Sequence, residues 1–135
     1  MKLLKNVLLL CLLFTATSIS AQKKGKITFD YVTVNIIEGY DHDSRLVVYV
    51  DGEKIATSEV HKESDHKKLT VSVTQGKHKI RAVLETLYDG VWEEHTKANE
   101  YSVDSEYDSE LTIKKKVTII MKMDIDKEAT SIQIK

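Results

Sequence analysis

The sequence predicts an all-β domain, an antiparallel sandwich of two sheets. Apolar and polar residues alternate with a period of two through most of the chain, whereas the three- or four-residue spacing of an amphipathic helix is poorly developed. Turn signals recur at intervals of roughly 8–12 residues, as they do in sandwiches. Together these observations favour about seven to nine strands, and a small open β-barrel is the alternative architecture.

Residues 1–21 have the organisation of a secretory signal peptide. Lys2 and Lys5 precede the apolar run VLLLCLLF, and the small side chains around Ser20 and Ala21 offer a cleavage site before Gln22. The run is far shorter than the roughly 20 residues that span a bilayer. We therefore expect cleavage, a single mature domain over residues 22–135, no stable membrane insertion, and a secreted or periplasmic protein of bacterial type.

Charge and cysteine content exclude several classes of partner and site. Without residues 1–21 the chain carries 18 Lys and Arg against 21 Asp and Glu, a formal charge of −3. Nucleic acids and anionic lipids need a basic footprint, so neither is the expected main partner. Cys11 is the only cysteine and leaves with the signal, which removes disulfides and thiolate sites. The alternatives are an uncleaved anchor and a lipoprotein, but Leu10 before Cys11 is unlike a lipoprotein signal.

The first strands are read from alternation and turns. Residues 26–38 alternate at Ile27, Phe29 and Tyr31 and then slip by one residue, which predicts a β-bulge or a strand that changes sheets. Residues 45–50 form the next strand. Asp51-Gly52 predicts a type I′ hairpin turn, because both positions must adopt positive φ, and residues 54–60 return from it.

The later strands follow the same pattern. Gln75-Gly76 predicts a second hairpin between alternating segments, and Asp89-Gly90 predicts a third turn. Residues 111–123 read as one long strand, in which the lysines 114–116 either protect an edge or mark where the strand leaves its sheet. The remaining segments are residues 69–73, 80–84 and 130–134. This order favours an immunoglobulin-like, Greek-key sandwich.

One segment resembles a known class of module. Val48-Tyr49-Val50-Asp51-Gly52, followed by Gly76-Lys77-His78-Lys79-Ile80, is similar to the hairpin and later strand of PEGA domains, which are small secreted β-sandwich modules of bacteria. The similarity covers about 40 residues, and the Pro-Glu-Gly-Ala stretch that names the family is absent because the chain has no proline. The resemblance implies an extracytoplasmic accessory or binding module.

An acidic run supplies the candidate metal ligands. Between residues 104 and 110 every even position is acidic, and Asp104, Glu106 and Asp108 could converge on Ca²⁺ if the segment were a loop. In a strand these carboxylates would share one face and repel, so the run suits a cation site or a solvated loop. Asp41-His42-Asp43 and the pair His61 and His66 are weaker candidates, and no other cofactor is expected.

Aromatic residues supply the candidate binding surface. Trp92 is the only tryptophan, and Tyr88 and Tyr101 lie near it in a polar part of the chain. Large aromatic side chains give contact area at low entropic cost, so they could grip a glycan or a protein. The alternative is that Trp92 belongs to the core of the sandwich.

Catalysis finds little support in the sequence. The G-x-S-x-G and H-E-x-x-H motifs are absent. A carboxylate pair for glycoside hydrolysis could come from Glu93, Glu94 or Glu100, but the chain has no long loops to form the cleft that this reaction needs. We therefore expect a non-enzymatic secreted or periplasmic module that binds an envelope protein or glycan. The alternatives are an assembly protein that adds a strand, from residues 130–135 or 26–38, to a partner sheet, and a Ca²⁺-stabilised module. The oligomeric state stays open.

Overall fold

A computed structural model of the chain describes residues 22–135, which form ten strands and one 3₁₀ turn at Lys97–Asn99. The signal-peptide prediction lies outside the described residues. The strands are β1 Lys24–Val34, β2 Asp43–Val50, β3 Glu53–Thr57, β4 His61–Lys62, β5 Lys67–Thr74, β6 Gly76–Tyr88, β7 Val91–Glu94, β8 Glu106–Ile113, β9 Lys116–Asp124 and β10 Ala129–Ile134.

The strands form two sheets, which confirms the two-sheet sandwich. The four-stranded sheet has the order β10-β9-β1-β5. In the six-stranded sheet β3, β2 and β6 are neighbours, β7 and β8 share the other edge of β6, and β4 pairs with the start of β2. One pair, β1 with β9, is parallel rather than antiparallel. Among the described residues no helix is long and apolar enough to cross a membrane.

The core lies between the sheets, and every second side chain of each strand points into it. Ile27, Phe29 and Tyr31 of β1 pack in one cluster with Ile80, Ala82 and Leu84 of β6, and all six are nearly inaccessible to solvent. The sequence predicted these inward positions because a half-buried strand hides every second residue. The other buried apolar side chains of this cluster are Leu46, Val48, Val71, Val73, Val103, Tyr107, Ile113, Ile119, Met121 and Met123.

The predicted slip in the first strand is wrong. Residues 24–34 keep one alternation, and Thr33 continues the buried face after Tyr31. β1 is an interior strand with neighbours on both sides, so its outer face also carries partly buried side chains, Val32 and Val34 among them. The irregular register lies instead between β2 and β3, at Val48 and Tyr49.

Two of the three predicted hairpins are confirmed. Asp51-Gly52 and Asp89-Gly90 have positive φ at both positions and join β2 to β3 and β6 to β7. Gln75-Gly76 does not join a hairpin, because β5 pairs with β1 and β6 pairs with β2. The alternation on either side is the same as in a hairpin, but the chain crosses from one sheet to the other.

The predicted long strand at residues 111–123 divides into β8 and β9, which belong to different sheets. The crossing lies at Lys114 and Lys115, so the lysine run marks where the strand leaves its sheet. Gly25 of β1 packs against this crossing: a Cβ there would lie 2.5 Å from the carbonyl oxygen of Lys114. The backbone of Lys26 also donates to the carbonyl of Lys115, at 3.0 Å.

Candidate functional site

An open cleft of about 500 Å³ lies at one end of the sandwich, where the two sheets separate. β1 and β9 end there on one side, and β6 ends and β2 begins there on the other. The lining side chains come from the loops and strand ends around this opening: Ile36, Ile37, Tyr40, His42, Glu63, Tyr88, Glu93, His95, Asn99, Glu100, Tyr101, Ser102 and Ile125. The volume is in the range of small-molecule pockets.

The register of β6 and β7 determines which side chains face the cleft. The inward-facing positions of β6 continue from Leu84 to Thr86 and Tyr88. Glu93 of β7 lies opposite Thr86 and so shares this face. Core residues occupy this face further down the strand, but near the opening polar and aromatic residues replace them. The same alternation that builds the core therefore delivers Tyr88 and Glu93 to the site.

Glu63 is a buried carboxyl at the floor of the cleft, with only 3% of its surface exposed. Its Oε1 accepts a hydrogen bond from Thr86 Oγ1 at 2.8 Å and lies 3.5 Å from His95 Nε2. Burial raises the pKa of Glu63 to about 7. Desolvation of the carboxylate is the main cause of this shift. No Lys or Arg of the described chain pairs with Glu63 to stabilise its charge and offset the desolvation.

His95 stands beside Glu63 and is 4% exposed. Burial lowers its pKa, so the imidazole is neutral at neutral pH. Its Nδ1 lies 2.9 Å from the hydroxyl of Ser105, which is fully buried, and a neutral ring that accepts there can donate from Nε2 towards Glu63. Ser105 does not line the cleft, so its hydroxyl orients the ring and is not presented to a ligand.

Tyr101 covers one face of His95 and connects it to a second carboxylate. The two rings stack with centroids 4.1 Å apart, and Tyr101 Oη donates to Glu93 Oε1 at 2.5 Å. Burial and the Glu93 carboxylate raise the pKa of Tyr101, so the phenol keeps its proton and remains a donor. This contact fixes Glu93 on the wall of the cleft.

The loop that carries Tyr101 is ordered by its own hydrogen bonds. Asn99 Nδ2 donates to the carbonyl of Glu94 at 2.8 Å, and the amide of Tyr101 donates to the carbonyl of Thr96 at 3.2 Å. Asp104 Oδ1 accepts from the amide of Lys97 at 2.7 Å, which closes the loop. Asp104 thus has a local structural role in this loop.

An aromatic rim, defined by Tyr40, His42 and Tyr88, borders the mouth of the cleft. The His42 ring meets both tyrosines edge-on, with centroids 6.3 Å from Tyr40 and 5.9 Å from Tyr88. Tyr40 and Tyr88 are 63% and 52% exposed, so their ring surface is available to a ligand. Exposed tyrosines beside a lined cavity are a common feature of binding sites.

The structure places two of the three predicted aromatic residues in the cleft. Tyr88 and Tyr101 line it, whereas Trp92 lies opposite Leu87 on the outer face of the six-stranded sheet. The guanidinium carbon of Arg45 stands 4.2 Å from the centre of the Trp92 ring. Trp92 is partly buried there, under Arg45, and belongs neither to the core cluster nor to the cleft.

The acidic run is not the solvated loop that the sequence favoured. Glu106, Asp108 and Glu110 lie on β8, and on the neighbouring β6 Lys79 is opposite Glu110 and Arg81 is opposite Asp108. Arg81 Nη2 lies 2.9 Å from Glu106 Oε2 and also pairs with Glu94. Cations of the adjacent strand thus pair with Glu106 and Glu110, and the pattern of a single strand does not reveal such a neighbour.

Residues 22–135 contain no group of three or more His, Cys, Asp or Glu that could hold a metal ion. Asp104 caps the loop at Lys97 and Glu106 pairs with Arg81, so these two side chains have other partners. The Ca²⁺ site remains a prediction that this geometry does not support. His61 is buried and bonded to Tyr31 Oη at 2.9 Å, apart from the exposed His66.

Comparisons with known proteins identify no family. No family model matches the chain, and no curated protein matches it significantly. A structure of non-hemolytic pneumolysin from Streptococcus pneumoniae strain ST306 aligns at 11% identity and a TM-score of 0.42, over 84% of this chain and 24% of that one. The human-specific toxin intermedilysin and listeriolysin O each align at 13% identity and a TM-score of 0.40, over 84% of this chain and 23% and 22% of theirs.

The chain therefore spans about a quarter of the length of the solved proteins that it matches. Alignments at these scores assign neither a family nor a function to it. The resemblance to PEGA domains stays a prediction.

Proposed function

We propose that this chain is a secreted or periplasmic, non-catalytic module that binds a glycan in the cleft at the open end of its sandwich. The observation that carries the proposal is the combination of an exposed aromatic rim with carboxylates on the wall and floor. Tyrosine rings stack on the apolar faces of sugar rings, and carboxylates accept hydrogen bonds from sugar hydroxyls. One site supplies both kinds of contact.

The arrangement of the floor favours binding over catalysis. Ser105, His95 and Glu63 form a row, with the Ser105 hydroxyl buried on the side of His95 that faces away from Glu63. These three side chains therefore present no nucleophile to the cleft. Glu93 is engaged by Tyr101. These side chains hold one another in fixed positions, which lowers the entropic cost of binding a ligand.

Calorimetric titration of the purified protein with neutral and charged oligosaccharides tests the proposal. We expect Tyr88→Ala to weaken binding on the order of tenfold, because it removes a stacking surface. Trp92→Ala, on the opposite face of the sheet, is the matched aromatic-to-alanine control and should leave affinity unchanged. Loss of binding in the Trp92 variant with full binding in the Tyr88 variant would place the site elsewhere.

The free edge of β10 favours strand addition as a second candidate function. β10 is the last strand of its sheet and pairs only with β9. Thr118 and Lys135 exchange both backbone hydrogen bonds, at 2.9 Å. Because antiparallel pairs alternate, residues 130, 132 and 134 direct their amides away from β9. The other predicted segment, residues 26–38, cannot add a strand through β1, because β1 has neighbours on both sides.

A proline at position 132 distinguishes this second function. Ile132→Pro removes an outward amide without breaking a bond to β9, whereas Ile132→Thr keeps that amide and is the control. We expect only the proline variant to lose association with a partner in pull-downs from the cell envelope. Equal association of both variants would exclude strand addition at β10.

A further inference from the structure

The floor of the cleft holds a carboxylate oxygen without a partner. Glu63 Oε1 is bonded to Thr86 and approached by His95, but Oε2 accepts no hydrogen bond from the described residues. Thr33 Oγ1 is the one fully buried side-chain polar atom of residues 22–135 that lacks a partner. Oε2 therefore keeps a small contact with open space, and since Glu63 lines the cleft, that space is the cleft.

The charge of the cleft has one sign. Its lining includes the carboxyl groups of Glu63, Glu93 and Glu100, and within the described chain no lysine or arginine lines it. Asp41 lies close enough to Glu63 to raise its pKa further by repulsion. Several carboxylates elsewhere in the structure are paired with a cation: Glu85 with Arg45, Glu106 with Arg81, and Glu110 with Lys77. The side chains that line the cleft include no cation of this kind.

A carboxyl in this position lowers the stability of the fold. Removing an ionisable group from water without a counter-charge is unfavourable, or it forces the group to stay protonated. The pKa of Glu63 shows this cost, because it is raised to about 7. A ligand that brings a positive charge to Oε2 would restore the missing partner.

The aromatic rim indicates which kind of cationic group would fit the cleft. Tyr88 and Tyr40 present ring surface at the mouth, and Tyr101 lines the wall beside Glu93. Ammonium groups are attracted to tyrosine rings as well as to carboxylates, so the rim and the floor favour the same group. A neutral sugar would satisfy the rings but would leave Glu63 Oε2 without a charge partner.

We infer that the cleft selects an amino sugar, whose ammonium group pairs with Glu63 Oε2 while its ring stacks on the tyrosines. This inference rests on the proposed glycan-binding function and specifies the ligand within it. Glu93 and Glu100 contribute to the negative potential, and Tyr101 keeps Glu93 in place through the bond to Oε1.

Titration calorimetry with two matched oligosaccharides tests the inference on the unmodified protein. The probes are a glucosamine tetramer and the same tetramer fully N-acetylated, at neutral pH, moderate salt and with EDTA present. N-acetylation removes the charge and leaves the sugar ring intact. We expect the glucosamine tetramer to bind at least about tenfold more tightly, since charge-assisted hydrogen bonds are roughly twice as strong as neutral ones.

Two variants with the same change in net charge locate the contact. Glu63→Gln keeps the acceptor for Thr86 and should remove the preference for the free amine. Glu53→Gln, on the exposed β3 beside the Asp51-Gly52 turn at the other end of β2, should retain it. An equal loss in both variants would mean that general electrostatic attraction, and not Glu63, holds the amine, and would overturn the inference.

The remaining outcomes separate the two proposals. Equal affinity for the two tetramers overturns the amino-sugar inference and leaves the glycan-binding function intact. Failure of both tetramers and of neutral oligosaccharides to bind overturns the glycan-binding function and the inference with it. The comparison on the unmodified protein stands even if Glu63→Gln does not fold.

Discussion

Glu63 is the residue at which stability and the proposed function oppose each other. It is buried beside Thr86, His95 and Tyr101, and its carboxyl has hydrogen-bond partners but no cation. Replacing such a group with a neutral one usually stabilises a protein, because the cost of desolvating the charge disappears. Sites that bind ligands often keep this cost, since the ligand supplies the missing partner.

The raised pKa of Glu63 predicts how stability depends on pH. The folded chain holds this proton up to about pH 7, whereas the unfolded chain releases it near its ordinary value of 4.5. The stabilisation from this group is therefore complete below pH 4.5 and is lost as pH rises through 7. The loss amounts to about 3 kcal/mol.

Urea unfolding of the protein and of Glu63→Gln between about pH 4.5 and pH 8 measures this effect. We expect the variant to gain stability relative to the native sequence as pH rises. The other groups around Glu63 are Asp41, His95 and Tyr101. They are present in both proteins, so the difference reports Glu63 together with its coupling to these groups. Parallel curves for the two proteins would show that Glu63 is not desolvated.

Only part of the site could be predicted from the sequence. Tyr88 and Tyr101 were identified because aromatic residues stand out in a polar stretch. Glu63 and His95 were missed, since Glu63 belongs to the polar connection HKESDH and His95 follows a row of acids. Neither has a local signal, because their burial comes from elements distant in the sequence: Glu63 meets Thr86, and His95 meets Ser105.

At the scale of the strand, alternation predicted which face is buried but not which sheet a strand joins. The segments before and after Gln75-Gly76 alternate like the arms of a hairpin, yet β5 and β6 are in different sheets. A strand buried on one face has the same pattern whichever neighbour it pairs with. The lysines at 114–115 gave a better signal, because a charged run within an apolar alternation interrupts the buried face.

The crossing at Lys114 and Lys115 requires glycine at position 25. A Cβ there would stand 2.5 Å from the carbonyl oxygen of Lys114 and 2.7 Å from Ile113 Cγ2. We expect Gly25→Ala to lower the free energy of unfolding by about 1–3 kcal/mol, as overpacked side chains do, because a backbone atom cannot move aside cheaply. Thermal or urea unfolding measures the change.

Ser72→Ala provides the control for that substitution, because Ser72 lies exposed on the same sheet, opposite Lys26. Its effect should stay within about 0.5 kcal/mol. A Gly25→Ala protein as stable as the Ser72→Ala protein would show that the crossing is not in close contact with β1.

At the scale of the whole molecule, the topology and the composition together predict the folding kinetics. More than half of the strand pairs, such as β1 with β9 and β6 with β8, join segments far apart in the chain, so refolding should be slow for a domain of this size, in milliseconds to seconds. The chain has no proline. The slow phase of tens of seconds that prolyl isomerisation causes should therefore be absent.

Stopped-flow refolding followed by Trp92 fluorescence checks this prediction. The single tryptophan lies under Arg45 on the outer face of the six-stranded sheet, so its signal reports the assembly of β2 and β7 around β6. We expect one dominant phase whose amplitude does not depend on the time spent unfolded. A delay-dependent slow phase would contradict the prediction.

The sequence by itself determined the class of fold, the inward face of most strands and two of the hairpins, because period-two alternation and paired positive-φ turns are local properties. The tertiary structure alone decided the pairing of the strands, the outward position of Trp92, the ion pairs between the acidic run and β6, and the cleft around Glu63 and His95. These features depend on contacts between residues far apart in the chain, and no local pattern records which distant segments will meet.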